Sequence, residues 1–214
     1  FAEAEDVLAA AGIARVDGLL ADLGVSTNQL MDAKHGLSFN TESLLDMRLD
    51  PRIKKKASDL LAEWDEARIA AVLRDYAQER FARRIARKII QSRAAEPILT
   101  TGQLARLVRS IVPGQHAGGG SGGRGIDPAT RTFQALRMAV NGELDALQDL
   151  LTAIPRMMKP RGRAVLISFH SGEDRLVKQA MRAWETRGIC EILTKRPAEP
   201  STAETARNPR SRSA

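Results

Sequence analysis

The stretch VDGLLADLGVSTNQL, residues Val16–Leu30, decides how the fold of the whole chain is interpreted. A short apolar run begins at Val16 and stops at Asp22, which is typical of a buried parallel strand. Small and polar residues follow, and Gly24 stands where the loop has to turn tightly. Open α/β sheets build ligand sites at the carboxyl ends of their strands. The stretch therefore predicts an α/β fold in which Asp22 faces a ligand, or, as the alternative, only caps the next helix.

A second strand end carries a similar set of polar groups. The apolar residues Ala164–Ile167 predict a short buried strand, and Ser168-Phe169-His170-Ser171 follows it directly. The polar residues behind this strand can cap the next helix, and a further strand is predicted over Ile189–Leu193. The chain thus has two strand ends at which chemistry is expected.

Between these strand ends, the periodicity is that of helices. Apolar residues recur at helical spacing through Glu66–Pro113, and Thr100 with Gln103 has the pattern of a capping box. A glycine-rich linker, QHAGGGSGGRG, occupies Gln115–Gly125. One long helix is predicted from Asp127 to Leu151. Before the first strand, a shorter helix is predicted over Phe1–Ala14.

Composition is that of a basic globular chain. Its 214 residues are 43% hydrophobic, and 33 Lys plus Arg against 26 Asp plus Glu give a net charge of +7. This balance favours a polyanionic partner, although an ordinary basic surface is the alternative. Cys190 is the only cysteine, which excludes an internal disulfide and a zinc site made of several cysteines. No apolar run approaches the roughly 20 residues of a membrane span.

Seven blocks of sequence carry a resemblance to a known family. They occur in this order: DLGVSTNQL (Asp22–Leu30), HGLSF (His35–Phe39), LDMRLDP (Leu45–Pro51), ERFARRIA (Glu79–Ala86), PATRTFQALRMAVNGEL (Pro128–Leu144), ISFHSGEDRLVK (Ile167–Lys178) and NPRSRSA (Asn208–Ala214). Together they resemble the ribosomal RNA small subunit methyltransferase H family, also called MraW. The resemblance implies a cytoplasmic enzyme that uses S-adenosylmethionine to methylate the exocyclic amine of one cytidine in 16S rRNA. Its partner would be 16S rRNA or the small ribosomal subunit; the sequence leaves a homodimer open.

The fold that this resemblance implies is a class I, Rossmann-like methyltransferase core interrupted by an all-helical insert domain. We assign the first part of the core to residues 1–36, the insert with its linker to 37–126, and the second part of the core to 127–214. In the family, a D-x-T-x-G-x-G-G-H stretch upstream of the match forms the cofactor turn. That pattern does not precede Asp22, so we interpret the core as incomplete at the N-terminus; a protein that has shed its cofactor site is the alternative.

The resemblance also implies roles for individual residues. Asp22 and Gln29 match cofactor-binding positions, and Phe1 matches an aromatic residue that contacts adenine. Asn141 and His170 are the candidate catalytic residues, placed to hold the target amine. An interhelical hydrogen bond is the alternative role of Asn141, and a hydrogen bond to backbone is the alternative role of His170.

Contacts with the RNA substrate are expected from arginines. The candidates are Arg48, Arg131, Arg207 and Arg210. For Arg48 the functional role is a phosphate contact or a contact that orders its loop, and the alternative is a local ion pair with the aspartates that flank it, which is worth little if exposed. A further basic cluster, Arg83-Arg84-Arg87-Lys88, lies on the helical segment and is either an RNA contact or a solvated face.

Three functions are compatible with these features. The first is the 16S rRNA cytosine amino-methyltransferase, and the second is a related methyltransferase that acts on another RNA, such as an organellar one. The third is a non-catalytic RNA-binding or scaffold homologue. Only the identity of the modified RNA separates the first two, and a degenerate glycine motif upstream would favour the third.

We expect the 214-residue chain, made as written, not to bind S-adenosylmethionine measurably. A class I site holds its cofactor from several strand ends at once, and the glycine turn and the acidic residue of the earlier strands make close contacts. Isothermal titration of the chain, beside the product of the full-length gene, measures this directly. Micromolar binding by the 214 residues would show that the cofactor site has been misplaced.

Overall fold

A computed structural model describes residues 2–112, 127–194, 196–208 and 211, which fold as a mixed α/β protein with a small parallel sheet. In chain order the elements are α1 (Ala4–Ala10), β1 (Val16–Asp22), α2 (Thr27–Met31), α3 (Ala57–Glu63), α4 (Glu66–Ala77), α5 (Ala82–Ala95), α6 (Thr101–Arg109), α7 (Ala129–Asn141), α8 (Glu143–Met157), β2 (Met158–Ile167), α9 (Ser171–Thr186) and α10 (Thr202–Arg207). Among the helices of these ranges, none combines the length and the apolar character that crossing a membrane requires.

Two compact units share the chain. The strand unit comprises Phe1–Gly24 and Glu143–Ala214, and the helical unit comprises Val25–Gly142. The sequence analysis assigned residues 1–36 and 127–214 to the core. In the structure, residues 25–36 and α7 belong to the helical unit instead. Because the strand unit is made of two separated segments, the chain leaves it after β1 and returns to it at α8.

The strand unit is built on the parallel pairing of β1 with β2. The register places Gly18 opposite Arg163 and Asp22 opposite Ile167, with an irregularity between Val16 and Gly18. The strand predicted at Val16–Asp22 is confirmed, and β2 begins earlier than the sequence indicated. The two polar strand ends are therefore neighbours at one edge of the sheet.

Only one face of this sheet is covered by described residues. Side chains alternate between the faces of a strand, and one set packs into the core of the unit: Leu19, Ala21, Ala164 and Leu166. On the other face Leu20 is 70% exposed and its register partner Val165 is 53% exposed. The strand predicted at Val16–Asp22 is therefore buried on one face only, because no described element covers the second face.

The core of the strand unit comes mainly from α8. Its buried residues Leu147, Leu150, Leu151 and Ile154 follow the i, i+3, i+4, i+7 spacing of one helix face. Leu23, which follows β1, joins the same cluster. Each such side chain contributes roughly 1.5–3 kcal/mol through its removal from water.

The helical unit has a separate aliphatic core. α4 packs against α5 and α7. α6 packs against α5 and α7. The core that these four helices share contains fully buried side chains: Ile69, Leu73, Ile85, Ile89, Leu104, Val108 and Leu136. Within the described residues of this unit the only β-type pairing is an isolated bridge between Leu44 and Thr100. The capping box of Thr100 and Gln103 at the start of α6 is confirmed.

Two predicted helices differ from the structure. The helix predicted over Phe1–Ala14 spans Ala4–Ala10 only. The long helix predicted to Leu151 ends instead at Asn141, because Gly142 adopts a left-handed conformation with φ of 58° and caps α7. α8 then begins as a new helix at Glu143.

The strand predicted at Ile189–Leu193 is absent, and these residues are irregular. The N–H of Ile189 donates to the carbonyl of Trp184, which closes the end of α9 after Gly188. A strand needs a neighbouring strand for its backbone groups, and no described segment pairs with this one. Apolar composition alone did not reveal that lack.

Gly36 and Gly142 provide a matched test of backbone crowding. Both lie in the helical unit with nearly equal φ, 61° and 58°, but a Cβ at Gly36 would lie 2.1 Å from the carbonyl oxygen of Leu44, whereas one at Gly142 meets nothing within 4 Å. Gly142→Ala should lower the free energy of unfolding by about 1–2 kcal/mol, because a residue with a Cβ is strained in the left-handed conformation and no other contact opposes it. Gly36→Ala should lower it by more, as measured by urea unfolding followed by circular dichroism. Equal losses would contradict the crowding at Gly36.

Candidate functional site

Asp22 occupies the carboxyl end of β1, where a ligand site was predicted. The N–H of Leu23 donates to the carbonyl of Ile167 at 3.1 Å, so the pairing with β2 continues to the last residue of each strand. Asp22 is exposed, and its carboxylate has no hydrogen-bond partner within the described part of the chain. An unpartnered carboxylate at a strand end can accept hydrogen bonds from hydroxyl or ammonium groups of a ligand.

Gly24 turns the chain immediately behind this carboxylate. Its φ is +93°, a backbone conformation that L side chains rarely adopt. A Cβ at this position would lie 3.9 Å from Cδ2 of Phe169 and 4.0 Å from Oε1 of Glu173. The loop after β1 is therefore in close contact with the residues that follow β2.

His170 caps helix α9. Its Nδ1 accepts hydrogen bonds from the backbone N–H groups of Gly172 at 3.2 Å and Glu173 at 3.3 Å. A neutral imidazole that accepts through Nδ1 carries its proton on Nε2. That Nε2 is buried and lies 3.2 Å from Oε1 of Glu173, without the alignment of a hydrogen bond. This geometry matches the alternative role of His170, and its contact with the target amine stays a prediction.

Glu173 is a member of this arrangement that the sequence did not single out. Its side chain is 5% exposed, and its Oε2 accepts a hydrogen bond from the N–H of Phe169 at 2.9 Å. The signal was present, because an acidic residue three positions after a helix cap is the capping-box spacing. One carboxylate thus contacts both the segment that follows β2 and the capping histidine.

Asn141 makes three hydrogen bonds to backbone within the helical unit. Its Nδ2 donates to the carbonyls of Met47 and Arg137, both at 2.8 Å, and its Oδ1 accepts from the N–H of Leu49 at 2.9 Å. Met47 is fully buried and has φ of 64°, so this loop conformation needs external support. Both amide hydrogens are used, and one lone pair of Oδ1 is left to accept a hydrogen bond from an amine.

Gln29 belongs to the helical unit and closes a capping box at the start of α2. Its Oε1 accepts from the N–H of Ser26 at 3.0 Å, and its own N–H donates to Oγ of Ser26 at 3.2 Å. One lone pair of the side-chain oxygen is therefore used in the capping box, and the NH2 group is the part that can donate to a cofactor.

Arg48 forms the local ion pair that was its alternative role. Its Nε and Nη2 donate to the two carboxylate oxygens of Asp46 at 2.6 and 2.9 Å, and its Nη1 donates to the carbonyl of Ile53 at 3.0 Å. Burial raises the pKa of Asp46, but the hydrogen bonds from Arg48 outweigh that effect and hold the pKa below its ordinary value. A phosphate contact by Arg48 stays a prediction, and its side chain is 28% exposed.

The remaining predicted RNA contacts are open to solvent where they are described. Arg131 is exposed on α7, and Arg207 is exposed at the end of α10. Phe1 and Arg210 lie outside the described residues. The cluster Arg83-Arg84-Arg87-Lys88 is exposed on α5, while the alternate positions Ile85 and Ile89 are buried. The basic residues thus occupy the solvent face of that helix.

A model of the MraW methylase family matches residues 1–214. The chain belongs to the MraW methylase family. The resemblance predicted from the seven sequence blocks is therefore confirmed.

Three curated relatives illustrate how far the similarity extends. Each is named ribosomal RNA small subunit methyltransferase H. The protein of Syntrophotalea carbinolica is 45% identical over 229 residues, and the match covers 100% of this chain and 71% of that protein. The protein of Acidobacterium capsulatum is 44% identical, with 100% of this chain and 68% of the relative covered. The protein of Sorangium cellulosum is 46% identical, with 100% and 65% covered.

Two Asp-x-Arg pairs in the LDMRLDP block allow a prediction about this loop. The Asp46 side chain is 15% exposed. The side chain of Asp50 is 34% exposed, and that of its partner Arg52 is 71% exposed. Asp46→Asn should lower the free energy of unfolding at pH 7 by roughly 1–2 kcal/mol, because it removes charge-assisted hydrogen bonds. Asp50→Asn, the control, should cause a much smaller loss.

The pH dependence of these variants has a defined sign. The folded-state pKa of Asp46 is depressed, so its stabilisation is present above the unfolded value of about 4 and is lost as pH falls through the folded value. The difference between wild type and Asp46→Asn should therefore shrink below pH 4 in urea unfolding. A difference that is constant from pH 7 to pH 3 would contradict this account.

Proposed function

We propose that this chain belongs to an enzyme that uses S-adenosylmethionine to methylate the exocyclic amine of a specific cytidine in 16S rRNA. The family match over residues 1–214 and the names of the relatives support a methyltransferase of small subunit rRNA. The observation that carries the proposal is that β1 and β2 are parallel and end side by side, with Asp22 opposite Ile167. Asp22 is exposed there, beside the segment that holds His170. An RNA substrate of this kind favours the cytoplasm as the site of action.

The proposed reaction makes particular demands on the protein. The cytosine amine is conjugated with its ring, so its lone pair is a poor nucleophile. The cofactor, when bound, supplies a reactive methyl group on a sulfonium. The chain itself has to align the amine and offer hydrogen-bond acceptors to its N–H groups. A base must also leave its stack before it can enter such a pocket.

The donor and acceptor groups of the described residues fit this cofactor. The unpartnered Asp22 carboxylate suits its hydroxyl and ammonium groups, and the left-handed Gly24 lets backbone approach without a side chain. Gln29 adds an NH2 group that its capping box leaves available. On the side of the base, the remaining lone pair of Oδ1 of Asn141 is of the right kind to accept from the amine.

We further propose that the strand unit is part of a class I methyltransferase core and that the helical unit is inserted into it. The support comes from chain order, since the strand unit consists of two segments and the helical unit lies between them in sequence. The parallel pairing of β1 and β2 also suits such a core, in which parallel strands present their carboxyl ends to the ligand.

Nucleoside mass spectrometry of 16S rRNA, from cells with and without the gene, tests the proposed function. A cytidine methylated on its amine should be present only when the gene is present. The same modified nucleoside on another RNA would favour the related methyltransferase with a different substrate. An unchanged nucleoside profile in every RNA would favour the non-catalytic homologue.

The roles of Asp22 and Asn141 can be separated in the product of the full-length gene. Asp22→Ala should weaken cofactor binding, because it removes the strand-end carboxylate. Asn141→Ala should slow methyl transfer roughly tenfold to a thousandfold at nearly unchanged cofactor affinity, the cost of one transition-state hydrogen bond. Gly142→Ala controls for destabilisation of the same helix end. Normal turnover in Asn141→Ala would leave this residue with its backbone contacts only.

The basic face of α5 gives a prediction about RNA affinity. Arg83 and Arg87 are exposed, and Nε of Arg87 lies 3.5 Å from the carboxylate of Glu66. Because this ion pair is long and exposed, a phosphate can replace the carboxylate as the partner of Arg87. The variant with both changed to Ala should bind 16S rRNA fragments more weakly. Its logarithmic salt slope should flatten by about 0.7–0.9 for each phosphate that the variant no longer neutralises.

The control for that measurement removes the same charge elsewhere. Arg182 and Arg187 are exposed at the far end of α9, and the double Ala variant should keep the wild-type slope. If both double variants behave alike, the α5 cluster is an ordinary solvated face.

A further inference from the structure

Phe169 stands apart from the other aromatic residues of the described chain. It is 42% exposed, whereas every other described phenylalanine, tryptophan or tyrosine is buried or half-buried. The chain is only 4% aromatic, so it has few aromatic rings, and this one is not used in the core. Exposure of a large apolar ring opposes folding by the hydrophobic effect, which makes its location informative.

The location of Phe169 is the ligand edge of the sheet. β2 ends at Ile167, the register partner of Asp22, and Phe169 follows two residues later. The ring lies close to the loop after β1, because its Cδ2 is 3.9 Å from the point where a Gly24 Cβ would stand. Within the strand unit, the exposed ring and the unpartnered Asp22 carboxylate therefore belong to the same cluster of strand-end residues.

The backbone that carries this ring is fixed. The N–H of Phe169 donates to Oε2 of the buried Glu173 at 2.9 Å, and His170, the next residue, caps α9 through its Nδ1. These contacts hold the segment after β2 to the first turn of a sixteen-residue helix. A ring presented by a fixed backbone loses little conformational freedom when a flat ligand packs against it.

We propose that Phe169 is the stacking surface for a nucleobase at this site. Stacking on an aromatic ring suits every base, because each has a π-face, and its loss reduces affinity roughly fivefold to a hundredfold. The assignment rests on the proposed function, which supplies two nucleobases, the adenine of the cofactor and the target cytosine of the RNA. Their shared chemistry is a planar heteroaromatic ring, and the experiment below distinguishes them.

Nucleotide titrations of the full-length gene product provide the test. The protein carries ¹³C-labelled phenylalanine rings, and Phe169→Leu identifies the signal of Phe169. Cytidine 5′-monophosphate and S-adenosylhomocysteine are added in separate titrations. A shift of the Phe169 ring with only the first assigns it to the RNA base, and a shift with only the second assigns it to the cofactor. The absence of a shift with either probe overturns the proposal.

Three variants test whether stacking contributes to affinity. Phe169→Leu keeps an apolar side chain without a π-face and should weaken the nucleotide that shifts the ring by about fivefold to a hundredfold, and Phe169→Trp should restore it. Ile189→Ala, the control, changes a residue that is 44% exposed beyond the other end of α9, roughly 24 Å away. Wild-type affinity in Phe169→Leu overturns the proposal. Equal losses in Leu and Trp variants, with a lowered unfolding temperature, also overturn it, because they indicate a structural ring.

Methylation by the wild-type protein is measured in parallel, which keeps the two proposals separate. Stacking on Phe169 without methylation of any RNA would contradict the proposed function but not the nucleobase contact. Methylation that proceeds normally in Phe169→Leu, with unchanged nucleotide affinity, would contradict the contact alone.

Discussion

The parallel pairing of β1 with β2 is the constraint on which the strand unit depends. The two strands are separated in sequence by the whole helical unit, so their pairing closes a very long loop at an entropic cost that rises slowly with its length. Burial of Leu19 and Leu166 against the α8 core offsets part of that cost. Because the register places Asp22 opposite Ile167, the same pairing also aligns the two polar strand ends.

The helical unit depends on a different set of interactions. Its loop from Leu44 to Leu49 contains a buried methionine with positive φ, and regular secondary structure does not satisfy its backbone. The side chain of Asn141 supplies hydrogen bonds to Met47 and Leu49, and Arg48 folds back on Asp46. Gly142 then ends α7 directly after this asparagine, so the residue that supports the loop lies at a fixed helix terminus.

Several polar residues that are predicted to act in chemistry use only some of their side-chain atoms for structure. His170 uses Nδ1 as a helix cap and directs Nε2 toward a buried carboxylate, while Gln29 uses its oxygen in a capping box and keeps its NH2 group. Asn141 has one lone pair to spare. A substitution at any of these positions therefore changes stability, which is why matched controls are needed to test the proposed binding roles.

Sequence by itself determined the family, the strand from Val16 to Asp22, the capping box of α6 and the helical character of the segment between the strands. These features depend on local periodicity, on capping chemistry or on ordered motifs, all of which are written in neighbouring residues. It also named Asn141 and His170 as candidate residues, with an interhelical hydrogen bond as the alternative for Asn141 and a hydrogen bond to backbone as the alternative for His170. Tertiary structure showed that His170 matches its alternative, whereas Asn141 bonds to backbone of its own helix and of a loop that lies far from it in sequence.

Only the tertiary structure decided the burial of Leu19, the absence of a strand at Ile189–Leu193 and the break at Gly142. Burial and strand formation depend on a partner that the local sequence does not specify, whereas a glycine in a helical pattern becomes a terminus only when its backbone turns left-handed. The buried carboxylate of Glu173 and the exposed ring of Phe169 belong to the same class. Their significance comes from the chain segments that pairing and packing bring to one edge of the sheet.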